Sequence, residues 1–161
     1  MGHVSAVESR LAELGLELPP VAAPVAAYAP AVVTGSWVHT SGQLPFVDGA
    51  LPATGKVSAS GAEGTVSPDA AHELAARAAL NAVAAVKERI GDLDRVVRIV
   101  KVVGFVASDP AFTGQPGVLN GASELLGRIF GDAGVHARSA VGVAVLPLDA
   151  PVEVELVAEF G

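Results

Sequence analysis

Cysteine is absent from this 161-residue chain. The protein therefore has no disulfide, no thiolate nucleophile and no zinc–thiolate centre. Histidine offers no replacement, because none of the four histidines has metal-ligand spacing to another histidine or to a pair of acids. P-loop and dinucleotide-binding motifs are missing as well. We predict that the protein uses neither a metal nor a cofactor.

Runs of basic residues are also missing. Ten Lys and Arg stand against 17 Asp and Glu, which gives a net charge of −7. A nucleic-acid partner requires a basic stripe that neutralises phosphates, so we expect none. No segment is apolar for long enough to cross a bilayer, and the first residues do not resemble a secretion signal. We therefore expect no membrane partner and a cytoplasmic location.

Aromatic side chains are few, since one Trp, one Tyr and five Phe stand in a chain that is 51% hydrophobic. Small aliphatic side chains must therefore fill the core. The length suffices for one domain with its own core. We predict an N-terminal helical extension over residues 1–20 and a single domain over residues 21–161.

Capping signals and apolar periodicity predict three helices, four strands and one long loop. Ser5 and Glu8 have the spacing of a capping box, and Ser67-Pro68-Asp69 is a strong helix start. The helices cover 5–14, 68–90 and 116–130, the strands 36–43, 96–107, 139–146 and 152–160, and the loop 48–66. This order predicts an α+β fold with one sheet and its helices on one face.

The strand at 96–107 is largely apolar on both faces. Strict alternation places Val97, Ile99, Val103 and Phe105 on one face and Val96, Val100, Val102 and Val106 on the other. A strand of this kind must be covered twice, and two long helices cover only one face of a sheet. We therefore expect another subunit on the second face.

Candidate chemistry lies near the C-terminus, where Arg138 precedes an apolar strand. It is either a surface arginine or a bidentate clamp for a carboxylate, which matches the parallel donors of guanidinium. Glu153 is either part of a solvent-facing polar edge or a residue that positions or activates water. Glu155 fits the solvent-facing interpretation.

Several segments together resemble the Rid family of reactive intermediate deaminases, also called YjgF, over about residues 25–160. The matching segments are Ser41-Gly42-Gln43-Leu44-Pro45, Asn120, Ala137-Arg138-Ser139 and Leu146-Pro147 followed by Val152-Glu153-Val154-Glu155. The resemblance implies a chorismate-mutase-like α+β fold with one sheet and two long helices on one face. It also implies a homotrimer whose sheets line the interior, with ligand clefts between subunits.

The activity that the resemblance implies is hydrolysis of enamine or imine acids such as 2-aminoacrylate to 2-keto acids and ammonia, without metal or cofactor. Arg138 would clamp the carboxylate and Glu153 would place or activate the water. The implied substrate-binding positions are Tyr28, Ser41, Gly42, Asn120, Ser139 and Ala140. The expected partner is therefore a small carboxylate metabolite.

The chain departs from the family pattern at the cleft wall. Ala140 stands where the deaminases often have Cys, and Ser123 stands where an aromatic residue is often found. The loop at 48–66 is longer than in compact members, and the N-terminal helix is an addition. A non-catalytic trimeric binding protein for small carboxylates is therefore an alternative. An endoribonuclease is a further one, which the acidic charge disfavours.

Overall fold

Helices and strands account for most of the computed structural model, which describes residues 2–21, 23–24 and 26–161. The helices are α1 (Ala6–Glu13), α2 (Pro68–Ile90) and α3 (Gln115–Phe130). The strands are β1 (Ala31–Thr34), β2 (Trp37–Thr40), β3 (Val96–Ala107), β4 (Ala137–Val143) and β5 (Val152–Phe160). Short 3-10 helices occupy Leu93–Arg95, Gly131–Gly134 and Pro147–Asp149. None of the helices described is both long and apolar enough to cross a membrane.

The capping residues explain where the helices begin. The Ser67 hydroxyl accepts a hydrogen bond from the backbone N–H of Ala70 at 3.1 Å, so α2 starts where it was predicted. The Ser5 hydroxyl likewise accepts from the Glu8 N–H at 3.1 Å. The capping-box prediction is nevertheless only half right, because the Glu8 carboxylate bonds Lys87 of α2 instead of reaching back to the cap.

All five strands join one sheet in the order β1-β2-β5-β3-β4. The β3–β4 pair is parallel and the other three pairs are antiparallel. Helix α3 connects the two parallel strands, as a parallel pair requires. Strand β4 is therefore one edge of the sheet, and β1 is the other.

Helices α2 and α3 pack together and cover one face of the sheet. The burial of β5 alternates accordingly. Its residues on the helix side are all buried: Val152, Val154, Leu156 and Ala158. The intervening residues, from Glu153 to Glu159, remain partly exposed on what we call the open face. This arrangement confirms the predicted α+β fold with one sheet and its helices on one side.

The predicted faces of β3 were wrong because this strand contains two register shifts against β5. The shifts lie between Val96 and Arg98 and between Ile99 and Lys101. An extra residue in one strand moves every later side chain to the other face. Ile99 is therefore buried under the helices, whereas Val103, also odd-numbered, lies on the open face.

The first predicted strand is in fact the second half of a hairpin. Strands β1 and β2 pair from Ala31 opposite Thr40 to Thr34 opposite Trp37, and only Gly35 and Ser36 connect them. Gly35 has a φ of +56°, which glycine adopts without strain. The single strand predicted over 36–43 is therefore too long, and β1 was missed.

Two further boundaries qualify the prediction. Strand β4 ends at Val143 and not at Leu146, because its partner strand β3 ends opposite Val143 at Ala107. The long loop over 48–66 contains only isolated bridges, as predicted. It is nevertheless anchored, because Val57 is fully buried and its N–H donates to the Ala107 carbonyl at 2.7 Å.

Helix α1 is anchored by a single carboxylate. Asp94 accepts hydrogen bonds from the Ala6 and Val7 N–H groups, both at 2.9 Å, and from the Ser5 hydroxyl at 2.8 Å. These bonds, the one from Val7 foremost, lower the pKa of Asp94 to about 2. The division into a residue 1–20 extension and a residue 21–161 domain stays a prediction.

Acid should release α1. Because the pKa of Asp94 is lowered in the folded protein, its stabilisation is complete above its ordinary value of 3.8 and is lost as the pH falls toward 2. The amide NMR shifts of Ala6 and Val7 should therefore titrate with a midpoint near 2. In Asp94→Asn these amides should lose their downfield shifts already at neutral pH, whereas the exposed Asp132→Asn should behave as wild type. A midpoint near 3.8 would contradict this account.

Close contact between α2 and α3 depends on Gly121. A methyl group there would overlap the backbone carbonyl of His72, which cannot move without displacing α2. We expect Gly121→Ala to lower the free energy of unfolding by about 2 kcal/mol. The matched control is Gly127→Ala in the same helix, where nothing lies within 4 Å of the added methyl group. It should stabilise by about 0.5 kcal/mol in urea denaturation, and equal effects of the two changes would refute the contact.

Candidate functional site

Arg138 lies on β4 and directs its side chain toward α3. It pairs with the buried Val102 of β3, which places both side chains on the helix side of the sheet. Its Nη1 donates to Asn120 Oδ1 at 2.9 Å and to Ser123 Oγ at 3.1 Å. Its Nη2 donates to the Pro116 carbonyl at 3.4 Å. These partners are all neutral, so an anion remains the natural counterpart for this charge.

Two residues beside Arg138 were not in the predicted site. Ser123 Oγ lies 2.9 Å from His136 Nε2, and His136 Nδ1 lies 2.6 Å from the Gly134 carbonyl oxygen. The sequence indicated Ser123 only as a residue in the place of an aromatic one and did not single out His136. Ser123 could have been found because it is a polar residue three positions after Asn120, which places both side chains on one face of the helix. We call Asn120, Ser123, His136 and Arg138 the Arg138 half-site.

Glu153 lies on the open face of β5, opposite Phe105 of β3. Burial raises the pKa of its carboxyl above the ordinary value, and repulsion from Glu155 raises it further. Gly42 packs directly on this carboxylate, since a methyl group on Gly42 would come within 2.8 Å of Glu153 Cδ. A larger residue at position 42 would require the end of the Glu153 side chain to move.

A small cavity of about 160 Å³ adjoins Gly42. Tyr28, which is 47% exposed, and Leu148 line it. Leu148 has a φ of +58°, an uncommon conformation for a branched side chain, and such strain is often found at functional sites. We call Tyr28, Gly42, Leu148 and Glu153 the Glu153 half-site.

The remaining predicted site residues make contacts within the protein that hold its own structure together. The Ser41 hydroxyl donates to the Ala29 carbonyl at 2.6 Å, which ties the end of β2 to the segment before β1. Ser139 lies on the open face, where its hydroxyl accepts from Lys101 Nζ at 3.2 Å. Ala140 packs its methyl group against the core. Ala140 therefore presents only backbone to a ligand.

Within one chain the two half-sites are apart. Arg138 faces the helix side and Glu153 faces the open side, with β3 between their strands. The strands β4 and β5 are two strand spacings apart, which is about 10 Å. The β3 residues that pair with Arg138 and Glu153 are three positions apart. One ligand can touch both side chains only if the two half-sites come from different copies of the chain.

Two other features of the described residues lie outside both half-sites. A cavity of about 600 Å³ lies among residues 17–21 and 23, residues 46–49 and the α2 side chains Arg77 and Asn81. His3, Asp92 and Asp94 place three potential metal ligands within 4.8 Å of one another. Asp94 already accepts the hydrogen bonds that anchor α1.

Residues 8–160 match the family model described as "YjgF/chorismate_mutase-like, putative endoribonuclease". Protein TCP17 of Trypanosoma cruzi is 47% identical over 156 residues, which cover 96% of this chain and 94% of that protein. The crystal structure of Atu1372 from Agrobacterium tumefaciens, a protein of unknown function, superposes with a TM-score of 0.86. It is 40% identical and covers 96% of this chain and 92% of its own.

A third relative is a Shewanella oneidensis protein whose crystal structure is described as that of a "putative endoribonuclease". It superposes with a TM-score of 0.89 and is 38% identical. The alignment covers 96% of this chain and 99% of that one. The similarity thus extends over nearly the whole chain, including both half-sites.

The raised pKa of Glu153 can be dissected by mutation. Glu155→Gln should lower this pKa, because one of its two causes is repulsion from Glu155, but should leave it above the ordinary value because burial persists. Carbon-13 NMR titration of the Glu153 carboxyl measures the change. Glu159→Gln on the same strand is the control and should leave the pKa where it was. A Glu155→Gln variant with an unchanged Glu153 pKa would show that the two charges do not interact.

Proposed function

We propose that this chain, which belongs to the YjgF/chorismate mutase-like family, hydrolyses reactive enamine or imine acids to 2-oxo acids and ammonia. The observation that carries the proposal is Arg138, a cation held only by neutral partners at the end of an apolar strand. A substrate such as 2-aminoacrylate, through its imine tautomer, brings the carboxylate that this guanidinium matches.

The raised pKa of Glu153 supports a role as general base. The reaction begins when water attacks the imine carbon and the Glu153 carboxylate accepts the proton that the water releases. The imine nitrogen takes up a proton from solvent as the C–O bond forms, which gives a carbinolamine. Glu153 then returns its proton to the carbinolamine nitrogen, the C–N bond breaks with release of ammonia, and the hydroxyl proton leaves to solvent as the carbonyl of the 2-oxo acid forms. A base with a raised pKa accepts this proton more readily than an ordinary glutamate does. The proposed activity therefore falls as the pH drops through the raised pKa.

The proposed assembly is a homotrimer in which the Arg138 half-site of one subunit meets the Glu153 half-site of the next. Two features support it. The half-sites lie on opposite sides of the sheet, so one chain cannot close a cleft between them. The open face also carries several exposed or half-exposed apolar side chains, which indicates a partner surface: Val32, Trp37, Val103, Phe105, Val141 and Val157.

A binding protein without turnover is the second candidate. The observation in its favour is Ala140, which supplies no side-chain donor or acid where the deaminases often have cysteine. In that case the Arg138 half-site would bind a 2-oxo acid without converting any substrate. Endoribonuclease activity is a weaker candidate, because the net charge of −7 opposes RNA binding.

The direct test is release of ammonia and 2-oxo acid from freshly generated 2-aminoacrylate. We expect Arg138→Ala to lower kcat/KM about a hundredfold, because it removes the charge-assisted bonds to the carboxylate. Glu153→Gln should lower kcat, and Arg89→Ala, which changes an exposed residue of α2, is the control that keeps wild-type rates. Wild-type rates in Arg138→Ala would refute the proposed clamp. Tight binding of a 2-oxo acid without turnover would favour the binding protein.

A further inference from the structure

We infer that Ser123 and His136 are positioning residues that orient Arg138 and thereby select the edge of its guanidinium that receives the substrate anion. The inference rests on the proposed role of Arg138 as the carboxylate clamp. Neither residue needs to touch the substrate. Each acts through the hydrogen bonds that end on Arg138.

The directions of these bonds follow from their acceptors. The Gly134 carbonyl oxygen can only accept, so His136 Nδ1, at 2.6 Å, carries a hydrogen. In a neutral imidazole Nε2 is then an acceptor, and the Ser123 hydroxyl donates to it across 2.9 Å. The Ser123 oxygen keeps its lone pairs for Arg138 Nη1 at 3.1 Å. The result is a one-way chain of hydrogen bonds from Arg138 through Ser123 and His136 to the Gly134 carbonyl.

The hydrogen bonds to neighbouring residues occupy one end of the guanidinium completely. Nη1 has two hydrogens, and Asn120 and Ser123 accept one each. Nη2 uses one hydrogen on the Pro116 carbonyl. Among the residues described, the second Nη2 hydrogen and the Nε hydrogen have no acceptor. The edge that carries Nε and Nη2 is therefore the one left for the substrate anion, and its two donors match the two oxygens of a carboxylate.

The backbone keeps the chain of hydrogen bonds in place. Gly134 is buried, and a methyl group on it would overlap the Leu126 carbonyl of α3. This close approach brings the 3-10 helix at Gly131–Gly134 onto α3, so that the His136 ring reaches Ser123. An open pocket of about 310 Å³ lies beside Ser123, His136 and Arg138. If Arg138 lost these partners, the side chain could swing into this space.

The test compares Ser123→Ala and His136→Leu with the conservative variants Ser123→Thr, which keeps the hydroxyl, and His136→Gln, which keeps an acceptor near Nε2. We expect Ser123→Ala and His136→Leu to raise KM for 2-aminoacrylate, and Kd for 2-oxobutanoate, about tenfold. Their kcat should stay within about twofold, because the water-activating glutamate is untouched. The two conservative variants should recover most of the affinity, and melting temperatures should not track these changes.

A second readout needs no substrate. The side-chain Nε–H NMR signal of Arg138, assigned by its loss in Arg138→Lys, should be sharp in the wild type and broadened in Ser123→Ala. Wild-type affinity and a sharp signal in Ser123→Ala would overturn the inference. It would also fall if affinity followed thermal stability and the conservative variants restored nothing. If the wild-type protein neither turns over 2-aminoacrylate nor binds 2-oxobutanoate, the proposed function fails, and the NMR comparison still decides whether Ser123 and His136 orient Arg138.

Discussion

Alternation of side chains across the sheet is the constraint on which the rest of this molecule depends. Helices α2 and α3 bury one face, and every second residue of β4 and β5 must point away from them. Arg138 falls on the helix side at an edge strand, and Glu153 falls on the open side of an inner strand. Two groups suited to act on one small acid are thereby held on opposite sides of the same sheet. If both groups act on one ligand, as proposed, subunit assembly is part of the chemistry.

Each half-site shows a different way of preparing for a ligand. Around Arg138, neutral acceptors fix the orientation of the cation without cancelling its charge. Around Glu153, burial and the neighbouring Glu155 make the carboxylate less stable in its charged form, which raises its pKa. Gly42 permits the close approach of backbone to this carboxylate, and Leu148 holds a strained conformation beside it. An imine is already electrophilic, so orientation and a placed water account for much of what its hydrolysis needs.

Local sequence signals predicted much of the fold, but features that depend on long-range pairing could not be predicted from them. Ser67 and Gly91 define α2 because capping depends on neighbouring residues alone. The faces of β3 could not be predicted from strict alternation, because its bulges arise from pairing with β5. The β1–β2 hairpin was predictable in principle, since Gly35-Ser36 between two strand-like runs is a turn signal.

In the site, Arg138 and Glu153 could be proposed from pattern and resemblance. The link from Ser123 to His136 required the packing of the 3-10 helix on α3.

The most direct test of the account is complementation between two inactive chains. Arg138→Ala and Glu153→Gln chains would be co-expressed in equal amounts with different tags, and mixed trimers would be purified through both tags. If each cleft takes Arg138 from one copy and Glu153 from another, about a third of the clefts in these mixed trimers are intact, because only one of the three subunit contacts joins an intact Arg138 to an intact Glu153. Deamination of 2-aminoacrylate should then return to about a third of the wild-type rate. Mixed trimers as inactive as the two parent variants would contradict the account, because both residues would then have to act within a single chain.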